Sequence, residues 1–93
     1  MKVVFTEAAA GDVFRLRAFI EEKAPGAAKK AVTAIIRGCA SLSTFPERGA
    51  VRSDGLRQLV VAFGAAGYIV RYRVDQDAEE VVVIRIKHGK EAP

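Results

Sequence analysis

Tyr68-Ile69-Val70-Arg71-Tyr72-Arg73-Val74 changes character at almost every step. Successive side chains of an extended chain point to opposite faces. Tyr68, Val70, Tyr72 and Val74 therefore share one face, and Ile69, Arg71 and Arg73 share the other, as in a half-buried strand. Two further runs rich in β-branched residues flank it. Leu56 to Phe63 precedes it and ends at Gly64-Ala65-Ala66-Gly67; Glu79 to Lys87 follows the Asp75-Gln76-Asp77 turn and centres on Val81-Val82-Val83-Ile84. Short turn-rich links between such runs predict a three-stranded antiparallel meander. In the last run Val82, Ile84, Ile86 and His88 share one parity, and Val81, Val83, Arg85 and Lys87 share the other. In the first run Leu59, Val61 and Phe63 lie with Arg57. If the all-apolar faces turn inward, Arg71, Arg73, Arg85 and Lys87 meet on an open face, with Arg57 at its rim.

Toward the N-terminus, Lys2 to Phe5 reads as a short strand, and Thr6 can cap a helix whose first turns hold Glu7 and Asp12. Ala9, Val13, Leu16 and Ile20 fall on one helical face. Lys23-Ala24-Pro25-Gly26 ends that helix, with Pro25 suited to the first turn of the next. A second apolar stripe follows in Ala28, Val32, Ile35, Cys39 and Leu42, and Phe45-Pro46 closes it. The link from Pro46 to Gly55 is polar and rich in turn residues. The expected fold is α+β: an N-terminal strand, an antiparallel helical hairpin over about 7–45, then a three-stranded antiparallel meander over about 56–88. The helices pack on one face of a four-stranded sheet, and residues 1–93 form a single domain.

Composition limits the function classes. Of 93 residues 51% are hydrophobic and 28% charged, which describes a chain with a core to bury and excludes a disordered tail. The net charge of +4 points to an anionic partner without naming one. A single cysteine excludes a disulfide framework and a CxxC zinc cluster, and its place in the helical stripe makes it a buried structural thiol. No apolar run is long enough for a membrane span. Met1-Lys2-Val3-Val4-Phe5 turns polar too early for a secretory signal, so a cytoplasmic domain with no membrane contact is expected. No residue pattern calls for a metal or another cofactor. His88 has no nucleophile or orienting carboxylate near it in sequence and reads as a chain-end imidazole. Arginine dominates the expected open face, and its planar fork suits carboxylates and phosphates.

The order of these features resembles the ParE/RelE superfamily of type II toxin–antitoxin toxins, in its ParE-like, plasmid-stabilisation branch. The matching residues are Phe5-Thr6, Ala9, Asp12, Phe19-Ile20, Ala27-Ala28, then Leu42, Pro46 and Gly49, Leu56-Arg57 with Leu59-Val60, Tyr68, Tyr72-Arg73-Val74, and Val83 through His88-Gly89. Ala50 stands where many relatives carry a basic residue. The resemblance implies a toxin that inhibits DNA gyrase with no catalytic residues of its own. It also implies a ParD-like antitoxin in a hetero-oligomeric complex, laid across sheet and helices, through which DNA contact is mainly made. Antitoxin or target binding would then fall to Arg57, Arg71, Arg73, Arg85, Lys87, His88 and Lys90. The alternative it implies is a RelE-like, ribosome-dependent messenger RNA endoribonuclease, with Arg57, Arg73, Arg85 and His88 as its catalytic set. The tail from Arg85 to Pro93 lacks the late tyrosine of many RNA-cleaving relatives, which favours the gyrase-directed reading.

Overall fold

Residues 1–91 are described by the computed structural model; Ala92 and Pro93 of the tail lie outside the described residues. The elements are β1 (Lys2–Phe5), α1 (Glu7–Lys23), α2 (Ala28–Ser41), β2 (Ala50–Val51), β3 (Arg57–Val61), β4 (Tyr68–Asp75) and β5 (Glu80–His88). Thr6 turns β1 into α1 with a single hydroxyl, which accepts from Ala9 N–H at 3.0 Å and donates to the Ile84 carbonyl at 3.0 Å. At the other end Ala24 N–H reaches the Ile20 carbonyl, and Gly26 adopts φ +93°, a left-handed turn that glycine enters without strain. Pro25 lies in this turn, ahead of α2 rather than in its first turn.

The sheet runs β1-β5-β4-β3-β2, with β3, β4 and β5 antiparallel and β1 parallel to β5. β1 occupies one edge and β2 the opposite one. The chain between them must cross the width of the sheet, and the helical hairpin does so over one face, where it buries its apolar stripes. Five strands replace the expected four. Ala50 and Val51 pair with Gln58 and Arg57, and the Arg52 N–H closes the turn onto the Leu56 carbonyl at 2.7 Å. Two residues carry no periodicity, so pairing alone defines this strand.

Leu16, Ala31, Ile35, Cys39 and Leu42 from the helices meet Leu59, Val61, Tyr68, Val70, Tyr72, Val81, Val83 and Ile86 from the sheet. The faces of β3 and β4 are those read from the sequence. The first half of β5 is reversed: Val81 and Val83 face the core, not Val82 and Ile84. The cause is a bulge. Tyr72 pairs with Val83 but Arg71 with Arg85, so Ile84 is one residue extra and the phase of β5 changes there. Beyond it Ile86 returns to the core opposite Val70, and Lys87 stays on the open side opposite Ile69. The buried Tyr72 hydroxyl anchors the loop before β2, accepting from Gly49 N–H and donating to the Pro46 carbonyl, both at 2.8 Å. A Cβ on Gly49 would stand 2.7 Å from that hydroxyl and 2.9 Å from the Gln58 carbonyl, so only glycine fits.

Candidate functional site: the open face of the sheet

Opposite the helices, register arranges side chains in rows across the strands. Arg73 lies beside Val82, which lies beside Val4; Arg71 lies between Gln58 and Arg85; Ile69 lies between Val60 and Lys87. The face thus interleaves apolar groups with cations; Val60 stands 59% exposed and Ile69 is half-buried, while Val82 is buried between its neighbours. Arg71, Arg73 and Lys87 are the sequence-predicted residues that this face brings together.

The cations differ in how far neighbours offset them. Arg73 reaches Asp75 at 3.5 Å, and Asp75 also accepts the Ala78 N–H at 3.1 Å. That backbone bond, with Arg73 beside it, holds the Asp75 carboxyl below its ordinary range. Among the described residues Arg71 has no such carboxylate, and its buried Nε finds no acceptor. Sequence reasoning missed Arg52, which donates to Gln58 Oε1 at 2.8 Å and pairs with Asp54 at 3.1 Å. It brings another guanidinium to the end of the Arg71 row. The Arg52-Ser53-Asp54-Gly55 turn is the signal that could have located it.

Of the remaining candidates Arg57, His88 and Lys90 lie off the open face, and Arg85 starts in the Arg71 row but is engaged from the side. Arg57 is in register with Tyr72, on the helix side, and donates to the Gly49 and Glu47 carbonyls at 2.8 and 3.2 Å. Arg85 turns to Asp12 of α1, with Nε to Oδ2 at 2.9 Å and Nη2 to Oδ1 at 3.1 Å. β1 stops opposite Val83, which leaves this stretch of β5 without a strand neighbour on the side away from β4. Asp12 takes that strand's place by accepting the Ile86 N–H at 2.8 Å. Asp12 is buried to 4% exposure, and burial works to raise its pKa. The bonds from Arg85 and Ile86, with the charges of Arg85 and Arg15, outweigh that and hold it below the ordinary carboxylate range. From sequence Asp12 has only a helix-dipole role.

His88 pairs with Tyr68 in register and packs edge-on against its ring at 5.6 Å, on the helix side. Its Nδ1 accepts the Lys90 N–H at 3.2 Å, and its backbone N–H donates to Glu91 Oε1 at 2.8 Å. Glu91 in turn pairs with Arg15 at 3.1 Å, and Lys90 lies in the turn beyond β5 beside this group. Arg57 and His88 are thus on the helix side, Arg73 is on the open face, and Arg85 is held by Asp12. The set does not converge on one reacting centre. What the open face offers chemically is recognition: apolar contact interleaved with bidentate donors for carboxylate or phosphate. Among the described residues no three His, Cys, Asp or Glu side chains come together as metal ligands would. No helix among them is long and apolar enough to cross a membrane.

Comparison with known proteins meets this geometry. Residues 3–93 match the family described as the ParE toxin of the type II toxin–antitoxin system parDE. Toxin RelE3 of Caulobacter vibrioides is 39% identical over 80 residues, covering 86% of this chain and 85% of the relative. Toxin RelE2 of the same organism is 33% identical over 88 residues, covering 95% and 94%. Among solved structures, the chromosomal ParDE system from P. aeruginosa includes a chain that superposes with a TM-score of 0.78 at 24% identity, covering 97% of both chains. A chain of the intact E. coli RelBE toxin–antitoxin complex gives 0.63 at 18% identity, covering 99% and 98%. At these identities the two structures establish the fold.

Proposed function

The chain belongs to the ParE toxin family of type II toxin–antitoxin systems, and we propose that it acts in the cytoplasm as a binding toxin directed at DNA gyrase. In this reading a ParD-like antitoxin silences it by covering the open face. The carrying observation is the separation of Arg57, Arg73, Arg85 and His88. An endoribonuclease needs a proton acceptor, a proton donor and phosphate-holding cations within reach of one scissile bond. Here the imidazole lies on the helix side, beside Lys90 and Arg15, while Arg71, Arg73 and Lys87 are on the opposite face of the sheet. A toxin that works by occupying a surface has no such requirement. The antitoxin assignment is supported by the interleaving of Val60 and Ile69 with Arg71, Arg73 and Lys87, which suits an acidic, partly disordered segment that folds as it binds. The solved relatives are themselves described as toxin–antitoxin assemblies.

Purified toxin at molar excess should block gyrase supercoiling and accumulate cleaved DNA; normal supercoiling would overturn the proposal. The second reading, a ribosome-dependent endoribonuclease, draws on the RelE names of the relatives from Caulobacter vibrioides. It requires transcripts to be cut within minutes of induction, and cutting to fail in Arg85→Ala/His88→Ala. Intact transcripts during growth arrest would remove it.

A further inference from the structure

The net charge of +4 has a second location, away from the open face. From Lys23 to Pro46 the chain contains four cations, Lys23, Lys29, Lys30 and Arg37, and no acidic residue. Lys23 is engaged at the end of α1, with its Nζ 5.7 Å from the centre of the Phe19 ring. The other three are on α2, whose buried side is Ala28, Ala31, Ile35 and Cys39. Lys29, Thr33 and Arg37 follow at steps of four, so they form one line along the helix surface with Lys30 beside it. All four are exposed, and they line a shallow depression with Ala34. Among the described residues none of Lys29, Lys30 and Arg37 has a carboxylate within ion-pair distance, whereas Arg15, Arg52, Arg73 and Arg85 all have one. The Thr33 hydroxyl is spent on the Lys29 carbonyl at 2.8 Å.

We infer that the outer face of α2 is a contact surface for the phosphate backbone of duplex nucleic acid, made by the toxin itself and separate from the open face. Three arguments choose this partner over an acidic protein. The face offers three cations but only one large exposed apolar side chain, Ile36, at its border beside Thr33, which is an isolated contact and not an apolar centre. Between the lysines and Arg37 lie Thr33 and Ala34, and a stable protein interface needs a buried aromatic or aliphatic centre. Small residues between the cations let a rigid backbone of phosphates approach the helix along its length. Lys29 and Arg37 are eight residues apart, about 12 Å along an α-helix, close to the roughly 12 Å width of the major groove. The two ends of the line can therefore reach phosphates on its opposite walls. With no base-reading group in the set, the contact positions the protein without specifying sequence.

The test is fluorescence anisotropy of a labelled 20-base-pair duplex of arbitrary sequence with the full chain, titrated over a range of salt. The wild-type affinity should fall steeply with salt. In Lys29→Ala/Lys30→Ala/Arg37→Ala the slope of log K against log salt should flatten by about 2–3, at roughly 0.9 for each phosphate no longer neutralised. Arg71→Ala/Arg73→Ala should keep the wild-type slope. Exposed alanines suit a helix, and a Gln triple variant serves as a second probe should the Ala triple lose its helical circular dichroism. No measurable duplex binding by the wild type overturns the inference, as does an unchanged slope in the α2 variants or a flattened slope only in the open-face variant. Displacement of the duplex by polyglutamate at equal charge also overturns it, since the face would then read acidic chains alike. Supercoiling by gyrase is scored separately, so failure here leaves the gyrase reading standing, and the converse.

Discussion

Single polar atoms fasten the loops and edges of this small sheet. Tyr72 is fully buried, and its hydroxyl satisfies both Gly49 N–H and the Pro46 carbonyl. Removing one partner of a buried pair costs more than the net worth of the bond, because the orphaned group keeps its desolvation penalty. Tyr72→Phe should therefore lower stability by about 1–3 kcal/mol in urea unfolding, although it deletes only one oxygen; an unchanged midpoint would mean that water reaches the loop. Asp12 makes the same point with a charge. Its carboxyl titrates below its ordinary value when folded, so the unfolded chain takes up the proton first. The stabilisation is complete above the unfolded pKa and drains away as the pH falls from about 4 through the folded value. Wild type should be more stable than Asp12→Asn at pH 6, with the gap closing toward pH 3 in urea midpoints measured at each pH. A gap that stays constant would reduce Asp12 to a neutral hydrogen-bond acceptor.

Elements are set by how their surfaces meet. α2 lies so close to β3 that a Cβ on Gly38 would stand 2.5 Å from Val61 Cγ2. Ala is the better helix former by about 1 kcal/mol, but overpacking against a stiff β-branched neighbour costs about 1–3 kcal/mol. Gly38→Ala should thus be destabilising in thermal unfolding, and combining it with Val61→Ala should cost less than the sum of the two single changes. Strict additivity would show that α2 shifts outward freely. The way elements meet also governs what the sequence alone can reveal. β4 is legible because Val70 to Val74 alternates strictly between apolar residues and arginines and so names its own faces, with Ile69 the one apolar residue on the open side. In β5, Val81 to Ile84 is apolar on both parities, so nothing within it chooses a side, and the bulge at Ile84 depends on the spacing of β4. β2 is too short to carry a pattern. At the site, Arg71, Arg73 and Lys87 follow from alternation alone. Arg85 does not, because the partner that claims it, Asp12, arrives from 73 residues away.

At the scale of the molecule, a 93-residue domain buries only about 60–65% of the surface its unfolded chain exposes, and one whole sheet face is left without a covering layer. Val60, Ile69 and Arg71 on that face are therefore spare for a partner rather than committed to the core, and affinity should separate from stability when they are changed. Arg71 is the better probe because no carboxylate among the described residues engages it, whereas Arg73 is held by Asp75. Reversing Arg73 would set two carboxylates side by side at the turn after β4 and confuse binding with folding, so Arg73→Gln is the informative change and Arg71→Glu the informative reversal. The pair Arg71→Glu/Arg73→Gln should weaken antitoxin binding at least tenfold in calorimetry, about 1.4 kcal/mol or more. The unfolding midpoint of the free toxin should move by no more than about 4 °C, the shift expected for less than 1 kcal/mol in a domain of this size. Equal losses in both measurements would return these arginines to the fold. Unchanged affinity would move the antitoxin off the open face and onto the helices.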